Sequence, residues 1–197
     1  MTDILEVLRR IAAEKAENAV RRKCFISYYA GDKKEVDKFI EDFGDVFIPK
    51  VIGVTDGDDF IDSDNSDYVM SKIREKYLGD STVTLCLLGK CTHSRRYIDW
   101  ELKTSLRQGS YTPNGLVGIL LPSMGDSAHL PERFKENWNS DESQGYAIYR
   151  SYPTSKESLR GWIENAFTRR TSMSNLIKNS QSMFKYNHKC SVHDETH

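Results

Sequence analysis

Glu101, four residues after Tyr97 and next to Trp100, is the carboxylate of this sequence best placed for chemistry. On a helix at about 100° per residue, Ile98, Leu102, Ser105 and Leu106 of the stretch Ser94 to Gly109 share one arc, and Gly109 supplies the stop. That arc is the buried face. Glu101 stands beside it, one turn from Tyr97, Thr104 and Ser105, which puts its carboxylate at the border of core and solvent. Other groups are weaker. Ser27 has no His–Asp partner in sight and is no credible nucleophile. His93 could approach a bound phosphate from the end of a strand, or it could merely cap or pack. His188, Cys190, His193 and His197 have ligand-like spacing but lie in a polar terminal stretch, and no metal site is expected from them.

The elements that must position Glu101 can be read around it. Thr82 to Gly89 is almost wholly apolar, as expected of a strand covered on both faces, and the Glu101 helix starts from its carboxyl end. Gly115 to Pro122 is a second run of that kind. Lys23 to Tyr29 reads as a strand broken at Ala30-Gly31-Asp32, and Lys34 to Phe43 as a helix burying Val36, Phe39, Ile40 and Phe43. Val51 to Thr55 is a short strand, with Pro49 marking a late start or an edge. The acidic loop from Asp56 to Asp64 fails as an EF-hand, because Asp67 falls where glycine is needed and Ile73 where the bidentate glutamate is needed. It is read as a solvated loop whose Asp64 or Asn65 caps a helix from Asp67 to Leu78, burying Tyr68, Val69, Ile73 and Tyr77. A loop of about 23 residues precedes a strand at Tyr146 to Arg150, and Ser155 begins a last helix carrying Leu159, Trp162, Ile163, Ala166 and Phe167.

Alternating strands and helices predict an α/β fold with a doubly wound, mainly parallel, flavodoxin-like sheet of about five strands. The chain divides into an N-terminal amphipathic helix (1–20), one α/β domain (21–170) and a polar, loosely held C-terminal tail (171–197). The first helix either packs on the domain or serves as a partner or self-association helix. In such sheets the ligand crevice lies outside the carboxyl ends of the strands, so Tyr28, Gly31, Asp56, Asp59, His93, Tyr97 and Glu101 are expected to form one pocket. No GxGxxG or Walker A sequence supplies a phosphate loop.

With 197 residues and a formal net charge of -1, the chain suits one domain, and nucleic acid and anionic membranes are not its expected partners. No apolar run approaches the roughly 20 residues a membrane span needs, and the first 20 residues are too charged for a signal peptide, so a cytoplasmic protein is expected. The four cysteines, Cys24, Cys86, Cys91 and Cys190, form no CxxC pair and are expected as free thiols.

Two stretches carry a resemblance. Phe25-Ile26-Ser27-Tyr28, with Asp32 five residues after the serine, resembles the first box of TIR domains, and Ser94-x-x-Tyr97-x-x-x-Glu101 resembles their S-x-x-W-x-x-x-E segment. Through Ser81 to Gly89 and Arg95 to Glu101 the likeness is closer to the TIR-like proteins of bacterial Thoeris antiphage systems. It covers residues 23 to about 122. Tyr97 stands where the family usually has Trp, and the loop after the second strand is not an ordinary BB loop.

The resemblance implies cleavage of NAD+ at the nicotinamide glycosidic bond, to nicotinamide and an ADP-ribose product, often a cyclic isomer that switches on a separate effector protein. NAD+ would be the substrate, with no further cofactor. Nicotinamide leaves a pyridinium cation as a neutral ring and needs no acid, so one carboxylate can serve where ordinary glycosidases need two. Glu101 is then the catalytic residue. Tyr97 and Trp100 are stacking candidates, although Trp100 could instead face solvent or a partner. Ser27, Tyr28, Asp56 and Asp59 are candidates for the ribose hydroxyls. The alternative is a non-catalytic signalling or scaffold module in which Glu101 pairs with Lys103 or Arg107.

Overall fold

The computed structural model describes Ile4, Glu6, Val7 and residues 20–51, 65–126, 129–190 and 192. The amphipathic N-terminal helix lies almost wholly outside these residues, as do the acidic loop with Asp56 and Asp59, and His193 and His197. The centre is a parallel sheet of β1 (Lys23–Ser27), β2 (Ile48–Val51), β3 (Val83–Leu88), β4 (Gly115–Leu120) and β5 (Ile148–Arg150), in the order β2-β1-β3-β4-β5. The intervening and following helices are α1 (Lys33–Phe43), α2 (Ser66–Ile73, continued by a π turn to Leu78), α3 (Arg96–Ser105), α4 (Glu132–Asn137) and α5 (Lys156–Ser172).

Every residue of β3 and β4 is buried, which is why both read as unbroken apolar runs. Their side chains alternate between two layers. Leu85 and Leu87 meet Val36 and Phe39 of α1 and Leu159 and Ile163 of α5, whereas Cys86 and Leu88 meet Ile98 and Leu102 of α3 and Phe134 of α4. On that second face Phe25 of β1 packs with Val69 and Ile73 of α2 and Trp100 of α3. Asn65 caps α2, its side chain accepting from the Asp67 and Tyr68 amides, and Ser155 caps α5 by accepting from the Ser158 amide.

The strand order makes the junction of β1 and β3 the switch point, since the chain leaves β1 toward β2 and returns past it to β3. Glu101 is carried by the helix that follows β3. Its site therefore opens at this junction.

Several expectations need correction. The second strand begins at Ile48 rather than Val51 and includes Pro49. Ile48 donates its amide to the Arg22 carbonyl, so by alternation the Pro49 nitrogen faces outward from this edge strand, where a missing N–H breaks no ladder bond. Tyr68 is half exposed, at 50 %, rather than buried. The long loop before the last strand contains α4, the crossover that makes β5 parallel to β4; its buried positions include Arg133 and Asn137, so it shows no apolar period.

The largest difference is at the C-terminus. Helix α5 runs to Ser172, and residues 177–190 form a strap lying along α3 instead of a loosely held tail. Asn137 donates to the Lys178 carbonyl, Asn179 to the Lys103 carbonyl, the Phe184 amide to Asp99, Trp100 Nε1 to the Phe184 carbonyl and the His188 amide to the Ser94 carbonyl. Polar composition here supplies hydrogen-bond partners rather than solvation. The strap ends in a Cys91–Cys190 disulfide, with Cα atoms 5.4 Å apart, which overturns the expectation of four free thiols; Cys24 and Cys86 remain buried thiols. Among the described residues no helix is long and apolar enough to cross a membrane.

Candidate functional site

Ser27 is the last residue of β1 and pairs in register with Cys86 of β3, so its side chain stands at the switch point. Glu101 comes down onto it from the second turn of α3. The Ser27 hydroxyl donates to Glu101 Oε2 at 2.6 Å, and both side chains are buried, Ser27 completely and Glu101 to 8 % exposure. Glu101 is therefore not a border residue. The helix turns it inward because its neighbours Ile98 and Leu102 are core residues and α3 sits directly over the sheet.

Burial dominates the electrostatics. Removal from water pushes the Glu101 carboxyl up to about 8, and the Ser27 hydrogen bond only partly opposes this. At neutral pH burial thus favours the protonated form of this carboxyl. The Cys86 thiol behind it is raised by its own burial and further by Glu101. Tyr28 is half buried and packs against the α1 and α5 layer; its phenol is raised mainly by desolvation, with Glu101 among the charges it senses.

A second polar group lies at the same end of the sheet. Asp32 sits against Gly89, just past β3, so closely that a Cβ on Gly89 would stand 1.9 Å from Asp32 Oδ2. Burial raises the Asp32 carboxyl to about 6, Glu35 adds to this, and Arg95 and Lys90 act against it. Arg95 is itself buried, with its guanidinium 3.9 Å from the centre of the Tyr29 ring. Gly31, exposed in the turn before α1, has the Tyr29 ring beside it.

The remaining candidates are placed as follows. His93, in the turn between β3 and α3, is half buried with its ring 5.1 Å from that of His129, and burial first, then His129, lowers its pKa. Tyr97 packs edge-on to Trp100 at 5.5 Å, and the Arg96 guanidinium lies 5.0 Å from each ring. Trp100 is only 7 % exposed and faces the strap, not solvent. Lys103 donates to strap carbonyls and Arg107 pairs with Asp67 at 3.3 Å, so neither is the partner of Glu101. A cleft of about 660 Å³ bounded by Met70, Lys103, Arg107, Glu136 and Ile177 lies on another flank of α3 and does not include Glu101.

Sequence reasoning missed Asp99 and Arg133. Arg133 Nε donates to Asp99 Oδ1 at 2.9 Å, and its other nitrogens reach Asn179 and the Ser182 carbonyl. The only signal was a charged pair in stretches otherwise read as helix face and loop. Among the described residues no group of three or more His, Cys, Asp or Glu could hold a metal ion, and Cys190 is taken up by the disulfide.

A family model described as the TIR-like domain of Thoeris protein ThsB matches residues 25–126, just over half the chain. The chain belongs to this family. Membership gives it a TIR-like role in Thoeris defence and agrees with the doubly wound parallel sheet. No curated protein matches the sequence. The family match begins in β1 and ends beyond β4, so it takes in Ser27 and Glu101 and leaves out α4, β5, α5 and the strap.

Proposed function

We propose that this TIR-like protein cleaves NAD+ at the nicotinamide glycosidic bond, with Glu101 facing the reacting ribose. The observation that supports this most is the Ser27–Glu101 pair, a buried carboxyl held at the switch point of the sheet. Its chemistry fits a cationic substrate. A pyridinium ring entering the site favours ionisation of a carboxyl that desolvation keeps protonated, so Glu101 loses its proton and gains a negative charge opposite the positive one the substrate already carries. As the glycosidic bond breaks, its electron pair leaves with nicotinamide, which departs neutral, and positive charge grows on the ribose as an oxocarbenium ion. Glu101 stabilises that charge and orients the oxygen that attacks, from water or from the ADP-ribose itself. The ADP-ribose product, cyclic or linear, would be the signal passed to a separate effector, and Tyr28, His93 and Tyr97 are the described candidates for contacts to the rest of the dinucleotide.

A second reading has an observation of its own. Glu101 is almost sealed, with a partner inside the protein, as a structural residue of a non-catalytic signalling module would be. Nicotinamide release by the purified protein and by Glu101→Gln separates the two. The enzymatic reading expects a loss of about a thousandfold or more in the variant, the equivalent of ~4 kcal/mol of transition-state stabilisation. No release above background by either protein would leave the signalling module, and equal release above background would remove Glu101 from the reaction.

A further inference from the structure

Cys91 and Cys190 lie 99 residues apart in sequence and join the end of the strap to the loop between β3 and α3. That loop borders the Glu101 site. It carries Gly89 against Asp32, it carries His93, and the Cys91 carbonyl accepts from both the amide and the hydroxyl of Ser94, at 3.1 and 2.9 Å. The strap in turn completes α3. Arg95, at the N-cap position, makes no side-chain cap, and the first helical amide, Arg96, donates instead to Asn187 Oδ1 of the strap at 2.9 Å.

The two halves of the strap are held differently. Up to Phe184 it is anchored by Arg133 and Asp99, both buried. Beyond Phe184 it rests on Arg96 at the start of α3 through Lys185 and Asn187, on Ser94 of the preceding turn through His188, and then on the disulfide. The other two cysteines do not compete. Cys24 and Cys86 are buried thiols whose ionisation is driven far up by desolvation, and a thiol that does not ionise does not exchange.

We propose that Cys91–Cys190 is a thiol–disulfide exchange site through which a dithiol reductant of the thioredoxin class loosens the loop and the first turn of α3 beside Glu101. One thiolate of the dithiol attacks Cys190 Sγ, and the Cys91 sulfur leaves with the bonding pair and takes up a proton. The second dithiol sulfur then displaces Cys190 from the mixed disulfide. Two electrons pass to the protein, which ends with two thiols, while the dithiol ends as its own disulfide. Both half-cystines are buried, so exchange waits on local opening of residues 185–190, the more exposed half of the strap. Releasing that half removes Asn187 from the Arg96 amide and uncaps the helix that carries Glu101. This inference does not depend on the reaction assigned to Glu101.

The test uses the full chain, with dithiothreitol as the probe. Peptide maps of the untreated protein should contain the Cys91–Cys190 cross-link. After native-state reduction, iodoacetamide should label Cys91 and Cys190 and spare Cys24 and Cys86. Amide exchange in residues 89–97 and tryptic cleavage after Lys185 and Lys189 should then rise by about tenfold or more. Cys190→Ser should show the same mobility without reductant and no further response to it. Absence of the cross-link, or exchange in residues 89–97 that reduction leaves unchanged, would overturn the proposal. The wild-type reduction arm keeps the test decisive if Cys190→Ser folds poorly.

Discussion

Asp99 and Arg133 form an ion pair of 2.9 Å with side chains 3 % and 0 % exposed, joining α3, α4 and the strap at one point. Burial raises the Asp99 carboxyl above its ordinary value, and the Arg133 guanidinium and the Phe184 amide offset this only in part. A buried pair of this kind is costly to break, because removing one partner strands the other without water. Asp99→Ala should therefore lose about 3–5 kcal/mol in urea unfolding, and Asp99→Leu combined with Arg133→Met should recover much of it. A loss below ~1 kcal/mol in Asp99→Ala would show that the strap does not depend on the pair.

Stability should fall as pH rises through the neutral range, and Glu101 should account for much of the fall. Its carboxyl binds a proton more tightly in the folded protein, near 8, than at its ordinary value of 4.5. Its contribution is thus fully present below 4.5 and is lost as pH rises through about 8. Asp32 acts in the same direction at lower pH, between 3.8 and about 6. Glu101→Gln stays neutral throughout, so its melting temperature minus that of wild type should grow from pH 5 to about pH 8 and then level off. A difference that does not vary with pH would mean Glu101 titrates normally.

The same shift bears on turnover. If Glu101 works as a carboxylate, kcat/KM for nicotinamide release should rise with pH toward the ionisation of the free site near 8, while the kcat profile should lie at lower pH because the bound cation favours ionisation. Ser27→Ala removes the hydrogen bond that favours the charged form and should move the kcat/KM profile to higher pH. A profile unmoved by Ser27→Ala would separate the hydroxyl from the function of Glu101.

Gly89 is required for its size. In Gly89→Ala the new Cβ would meet the Asp32 carboxylate at 1.9 Å, and a loss of about 1–3 kcal/mol is expected in thermal or urea unfolding. Asp32→Ala made in the same chain should relieve most of that loss, because the clash is with the side chain and not with backbone. Additive losses in the double variant would place the strain elsewhere.

The parts of this fold that were legible in the sequence are those where hydrophobic period and burial coincide. Strands β3 and β4 are apolar on both faces, and the Ile98, Leu102 and Leu106 row of α3 faces Leu88 and Leu116. Glu101 was legible as a residue and as a position in the chain, but its depth was not. Stepping 100° per residue placed it on the edge of the apolar arc, whereas α3 sits so that this edge too meets the sheet, where Glu101 bonds Ser27, and the strap and α2 bury Asp99 and Trp100. Helix α4 and the strap were illegible for a common reason. Apart from Phe134, their buried groups include Arg133, Asn137 and backbone amides and carbonyls, whose burial depends on partners far away in sequence, and no local pattern records such partners. The disulfide was hidden in the same way, since its half-cystines meet only once the strap has run back along α3.

The two margins of the sheet are both poor templates for a further strand. On one side Pro49 turns a nitrogen without hydrogen toward the open edge of β2, and on the other β5 is only three residues long. A strand arriving at either margin would find an interrupted row of donors or almost no row at all. Among the described residues the sheet has five strands, and neither margin presents a continuous row of donors for a sixth.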